Sequence, residues 1–215
     1  MQQPAKQSLK LQAYQYLRDK ILSCEYAPGE RLNEQQLCAE MGNISRTPMR
    51  DAISRLEQEG LITILPKKGL MVAQVKAEDI QYIYEVRLLI EPYALRRYGS
   101  AISRAALEAC RAQLLAQQSQ ASRAAFCAAD DAFHALMLGA LENPYLRGTY
   151  ANIAALNSRV RLLSDKQALY RTEQTVAEHL AVLDACIIGD YQAAADAMEL
   201  HLQKGRQAAF EVPKK

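Results

Sequence analysis

Long apolar runs are missing from this sequence. No stretch reaches the roughly 18 uncharged apolar residues of a membrane-crossing helix, and the first residues, MQQPAKQSLK, lack the apolar core of a signal peptide. The expectation is a soluble, cytoplasmic protein with no membrane partner. Paired cysteines are missing too: Cys24, Cys38, Cys110, Cys127 and Cys186 stand singly, in odd number and without CxxC spacing. That argues against a disulfide framework and leaves small buried residues in a reducing compartment.

An excess of charge of one sign is also lacking. Residues 1–76 carry 11 Lys and Arg against 8 Asp and Glu, and the remainder carries 15 against 16. So small an imbalance assigns no polyanionic partner by itself. Internal repeats and low-complexity segments are not evident. Half of the 215 residues are apolar, enough for one large core or two small ones.

What is present is concentrated between Leu32 and Val72, LNEQQLCAEMGNISRTPMRDAISRLEQEGLITILPKKGLMV. Asn33 can cap a short helix, with Gln36 reaching back as in a capping box, and Gly42 sits where that helix stops. Ser45 or Thr47 can cap a second helix that starts at Arg46 or just after it, and Pro48 is tolerated in a first turn. Along this helix Met49, Ala52, Ile53 and Leu56 form one apolar stripe. Arg46, Arg50 and Ser54 fall on another face, with Thr47 beside them. A recognition helix needs this division between a docked side and forked donors facing phosphates and guanine edges. Leu61 to Leu65 and Leu70 to Val72, joined by Pro66, Lys67, Lys68 and Gly69, read as a hairpin with a basic tip. Surface arginines mostly bind nothing in particular. Capped helix, turn, capped helix and basic hairpin in this order nevertheless predict a winged helix-turn-helix that binds DNA.

The run ISRTPMRDAISRLEQEGLI followed by PKKGLMV resembles the DNA-binding domain of GntR-superfamily transcriptional regulators, over about residues 8 to 75. Asn43 and Ile44 stand where that family usually has a single β-branched residue, so the turn is one residue longer. The resemblance implies DNA contacts from Arg31, Arg46, Thr47 and Arg50, with Lys67, Lys68 and Gly69 at the minor groove or backbone. Ser45 is placed with them.

A boundary is expected near Gln74 to Ala77, giving domains of residues 1–76 and 77–215. Beyond it, Ile80 to Tyr98, Ser103 to Gln120, Arg123 to Leu141, Pro144 to Ser164, Leu169 to Ile188 and Tyr191 to Phe210 show helical periodicity. The fold class is therefore mainly α: a winged helix with a small β-hairpin, then an all-α antiparallel six-helix bundle. Histidine is scarce, and His134, His179 and His201 each fall within a different one of these helices. Asp130 lies one turn before His134 on the same face. A lone histidine among apolar neighbours is usually a hydrogen-bonded core residue. Three imidazoles and a carboxylate facing one core could instead bind zinc, nickel or manganese.

The region from about Ala77 to Gln207 resembles the FCD-type effector domain of GntR regulators, and its six helices favour the VanR-like branch of the FadR subfamily. The resemblance implies a metal held by Asp130, His134, His179 and His201. In the first bundle helix Ile80, Ile83, Arg87 and Ala94 share a stripe, so Arg87 points inward and requires an anionic partner. Glu91 one turn later is one candidate partner. We favour Arg87 as a ligand anchor, because EVRLLIEP also resembles the ExRxxxE motif of that family. In the fourth, Tyr150, Ile153, Asn157, Val160 and Ser164 share a stripe with Arg161 one turn after Asn157, making Asn157 and Arg161 weaker candidates. For Arg161 a solvated or interhelical contact competes with that role.

These readings converge on a homodimeric repressor of a pseudo-palindromic double-stranded operator, controlled by a small organic acid bound near the metal. One rival is a metal-dependent hydrolase-like enzyme, since three His and an Asp around zinc could activate water. Against it, no HExxH motif supplies a general base and Cys127 has no histidine pair, so no enzyme activity is expected. The other rival is a bundle that only dimerises.

Overall fold

A computed structural model describes residues 8–117, 123–163 and 172–210. Its contacts divide the chain into Met1–Val75 and Lys76–Lys215.

The first unit holds α1 (Leu9–Leu22), α2 (Glu34–Glu40) and α3 (Arg46–Gln58), with strands β1 (Arg31–Leu32), β2 (Ile62–Leu65) and β3 (Gly69–Val72). Asn33 caps α2, its Oδ1 accepting from the backbone N–H of Gln35 and Gln36. The reciprocal half of the expected capping box is not formed. Gln36 donates instead to Glu40 one turn on, at 3.0 Å. Ser45 takes the N-cap position of α3 in an extended conformation but makes no side-chain cap bond. Gly42 and Asn43 absorb the longer turn, both at positive φ (74° and 60°), and the Ile44 N–H donates to the Cys38 carbonyl. Asparagine tolerates that region better than most residues, so the insertion is accommodated locally. Met49, Ala52, Ile53 and Leu56 are all buried, as their spacing predicts, and α3 packs them against α1, whose Ala13, Leu17 and Ile21 are fully buried. The expected hairpin is one part of a three-stranded antiparallel sheet in the order β1-β3-β2, with Arg31 opposite Met71 and Ile62 opposite Val72.

The second unit comprises α4 (Ala77–Tyr98), α5 (Arg104–Gln117), α6 (Arg123–Gly139), α7 (Pro144–Leu163), α8 (Thr172–Ile188) and α9 (Tyr191–Phe210). Helix α4 begins earlier than the periodicity suggested because the Lys76 N–H donates to Asp79 and fixes the first turn. Helix α6 ends at Gly139, short of Leu141, whose N–H closes a turn on the Leu138 carbonyl. The expected ends at Gln120, Ser164 and Leu169 lie outside the described residues. Helix α4 packs on α9 and α7, and α8 packs on α9 and α5. The main core gathers Leu95, Leu107, Leu114, Phe133, Met137, Leu183, Met198 and Leu202, while Ile90, Ala94, Leu138, Leu141 and Tyr150 form a smaller cluster. Among the described residues no helix is long and apolar enough to cross a membrane.

Candidate metal centre and candidate nucleic-acid interface

Helices α6, α8 and α9 bring His134, His179 and His201 together in the interior, each at most 6% exposed. One ligand nitrogen from each lies within 4.8 Å of the others. The Nε2 atoms of His179 and His201 are 3.3 Å apart. Asp130, one helical turn before His134, places Oδ1 3.6 Å from His179 Nε2 and Oδ2 3.8 Å from His134 Nε2. Two of the other ring nitrogens have partners of their own. His134 Nδ1 meets Glu91 at 2.7 Å and His201 Nδ1 meets Glu178 at 2.8 Å. A carboxylate on Nδ1 favours the tautomer with its proton there, which leaves the Nε2 lone pair facing the cluster.

Electrostatics keep the cluster uncharged. Burial pushes His179 well below the ordinary imidazole range, reinforced by the neighbouring His201 and His134. Burial takes His201 down to about 4 against the opposing pull of Glu178, and lowers His134 against Glu91. Neutral imidazoles are the ligating form.

The donor set fits a divalent transition ion. Two nitrogens bound at about 2.0–2.1 Å to one ion lie roughly 3 to 4 Å apart, the range the His179 and His201 Nε2 atoms already occupy. His179 Nδ1 is buried without a hydrogen-bond partner among the described residues, so its ring is oriented by packing, stacked on Phe133 at 3.9 Å between centroids.

Around the cluster runs a charged network. Arg87 Nε donates to Glu91 at 2.6 Å, and the Tyr150 hydroxyl donates to the same carboxylate at 2.7 Å. Arg87 Nη2 also lies 3.0 Å from His134 Nε2. Burial alone would raise the Glu91 carboxyl, but Arg87 and His134 hold it far below the usual range. Arg161 contacts the carboxylates of both Asp130 and Asp131.

A cavity of about 410 Å³ adjoins this network, lined at one end by Arg87, Asp131, His134, Asn157 and Ser158 and beyond them by alanines of α6 and α7 with Leu138 and Leu141. Of the three expected ligand contacts, Arg87 and Asn157 line it. Arg161 is absent from the lining and sits on the aspartates instead. Asn157 Oδ1 is buried with no partner among the described residues. Tyr150, Asn157 and Val160 share the buried stripe of α7, and Ser164 lies outside the described residues. Sequence reasoning assigned no role at the cluster to Glu178 or Tyr150 and weighed Glu91 only against Arg87.

In the first unit Arg31, Ser45, Arg46, Thr47, Arg50, Lys67, Lys68 and Gly69 are all solvent-exposed. Ser45, Arg46, Thr47 and Arg50 open α3 on the side away from its buried stripe. Lys67 and Gly69 hold the hairpin tip at positive φ. Arg50 alone of these is committed in the structure, its Nε donating to Glu34 at 2.9 Å. That bond leaves both terminal nitrogens free, the pair that reads guanine O6 and N7.

Residues 9–72 match the family described as bacterial regulatory proteins, gntR family, and residues 82–204 match the FCD domain. The HTH-type transcriptional repressor RspR of Escherichia coli (strain K12) is 30% identical over 201 residues, covering 92% of this chain and 87% of that one. Among solved structures, a GntR transcriptional regulator from Rhodococcus sp. RHA1 has a TM-score of 0.83 at 19% identity, covering 97% of this chain and all of its own (100%). The metal-free FCD domain of TM0439 has a TM-score of 0.56 at 21% identity, covering 65% of this chain and 96% of that one. At such identities the two structures speak to fold alone.

Proposed function

The chain belongs to the GntR family of bacterial regulatory proteins, and we propose that it represses transcription under the control of a small carboxylate bound beside a divalent metal. In this reading residues 1–76 hold one half-site of a pseudo-palindromic operator, and residues 77–215 dimerise and carry the effector site. The observation that carries it is the convergence of three buried imidazoles, one ring nitrogen from each within 4.8 Å of the others, beside a cavity lined by His134, Arg87 and Asn157.

Bound zinc, nickel or manganese would supply a Lewis-acid anchor for a carboxylate oxygen. The protein's own residues do the rest. Glu91 and Glu178 fix the imidazoles of His134 and His201, the Arg87 guanidinium offers donors beyond those facing Glu91 and His134, and Asn157 offers its amide N–H. The acid controls transcription only through a difference in its affinity for DNA-competent and incompetent arrangements. No catalytic step is assigned, and a relative named as a repressor supports the sign.

Native mass spectrometry of protein purified without chelator tests this directly. The expected result is a dimer with about one ion per chain, since a preformed site of neutral imidazoles retains its metal. A dimer carrying less than roughly a tenth of an ion per chain overturns the metal part and leaves the bundle as a dimerisation module. At the DNA end, Arg50→Ala is expected to weaken specific operator binding by about 1–3 kcal/mol in an anisotropy titration. Unchanged operator affinity would refute the recognition face.

A further inference from the structure

The walls of the cavity narrow the class of acid it takes, an inference that rests on reading the site as a carboxylate sensor. Along α7 the lining runs from Arg147, exposed at one end, to Ser158 at the other, roughly 16 Å of helix at 1.5 Å per residue. Polar groups gather at the Ser158 end, with Arg87, His134 and Asn157. Asp131 lies there too, its charge met by Arg161 and Ser158.

Between the two ends the wall is Ala151 and Ala154 from α7 facing Ala135 and Leu138 from α6, with the Tyr150 hydroxyl already spent on Glu91. Among the described residues, the Tyr150 oxygen, with its own proton spent on Glu91, is the one side-chain atom along that stretch left to meet a ligand hydroxyl. A hydroxyl pressed against the alanine wall gives up water on that side for no partner there, a penalty on the order of ten-fold in affinity. A methylene in the same place gains about three- to four-fold. At roughly 30 Å³ per water, 410 Å³ matches about fourteen waters, room for an acid of about ten to fourteen non-hydrogen atoms.

We infer that the effector is a monocarboxylic acid with an apolar body, its carboxylate at the Arg87 and Asn157 end and its hydrocarbon along the alanine-lined trough. Polyhydroxylated acids are disfavoured by the same wall.

Calorimetric titration of the full-length protein, as purified, with hexanoate, adipate and gluconate holds the six-carbon chain constant and varies only the body and far end. Hexanoate is expected to bind at least ten-fold more tightly than gluconate, and affinity is expected to rise three- to four-fold per methylene from butanoate to octanoate. Ala151→Leu, at an exposed alanine of the trough, should abolish that rise while leaving butanoate unchanged. Tighter binding of gluconate overturns the apolar body but keeps the carboxylate sensor. Adipate binding ten-fold above hexanoate overturns the single carboxylate by placing a second one at Arg147. Failure of every acid to bind overturns the sensor reading and this inference with it.

Discussion

Replacing Glu91 with alanine is expected to destabilise the C-terminal unit by about 3–5 kcal/mol, the usual consequence of removing one partner of a buried ion pair. Arg87 and Glu91 are 3% and 0% exposed, so the guanidinium left behind cannot rehydrate without opening the bundle. The same carboxylate accepts the Tyr150 hydroxyl and holds His134 Nδ1, so the loss reaches three elements at once. Circular dichroism at a helical wavelength reads the effect, with the two units fitted as separate transitions. A shift of roughly 10 °C or more in the melting of the bundle is expected. Removing both charges in Arg87→Met/Glu91→Leu should recover most of the loss, because the penalty lies in the orphaned charge. If Glu91→Ala shifts stability by less than about 1 kcal/mol, the pair is not buried in the folded protein. Metal affinity should fall with it by about 10- to 100-fold, the typical result of removing the carboxylate behind a ligating histidine.

The parts of this architecture that were legible in the sequence are those fixed by local periodicity. Asn33, Gly42 and the stripe from Met49 to Leu56 declare two helices within a few residues of each other, and the geometry of a single helical turn sets Asp130 beside His134. Arg87 pointing inward follows from the stripe it shares with Ile83 and Ala94. Contacts made across the chain were not legible. Strand β1 is two residues long and exists because Arg31 and Leu32 find Met71 and Leu70, a pairing no local pattern announces. Glu178 has no local partner in the sequence, and it is the packing of α8 on α9 that sets it against His201, 23 residues further on. For Arg161 the sequence left a ligand contact and an interhelical contact open. The structure shows the interhelical contact, Arg161 meeting Asp130 and Asp131 of α6, and only the packing of α6 on α7 decides it.

Stripping the metal is the second change expected to have a large effect. A site filled at 100 to 1,000 times its dissociation constant adds about 2.7–4.1 kcal/mol to stability, so EDTA should lower the melting temperature of the bundle and zinc, nickel or manganese should restore it. Identical melting with and without chelator, and after re-addition of each ion, would show that the histidines are structural. The metal-free protein should also depend on pH in one direction. In the unfolded chain an imidazole titrates near 6.5, whereas in the folded chain burial takes His201 to about 4 and lowers His179 and His134 as well. Between those values the unfolded chain binds more protons. Stability is therefore complete above about pH 6.5 and is lost as the pH falls toward 4, with each such imidazole contributing up to about 1.4 kcal/mol per pH unit. Protons compete with metal for the same nitrogens, so the loaded protein follows the same direction more steeply. Melting curves from pH 8 to pH 5, with and without EDTA, separate the two contributions. A metal-free bundle equally stable at pH 7 and pH 5 would mean that the imidazoles accept protons in place, drawn by Glu91 and Glu178, and that the cluster is a charged ion-pair network.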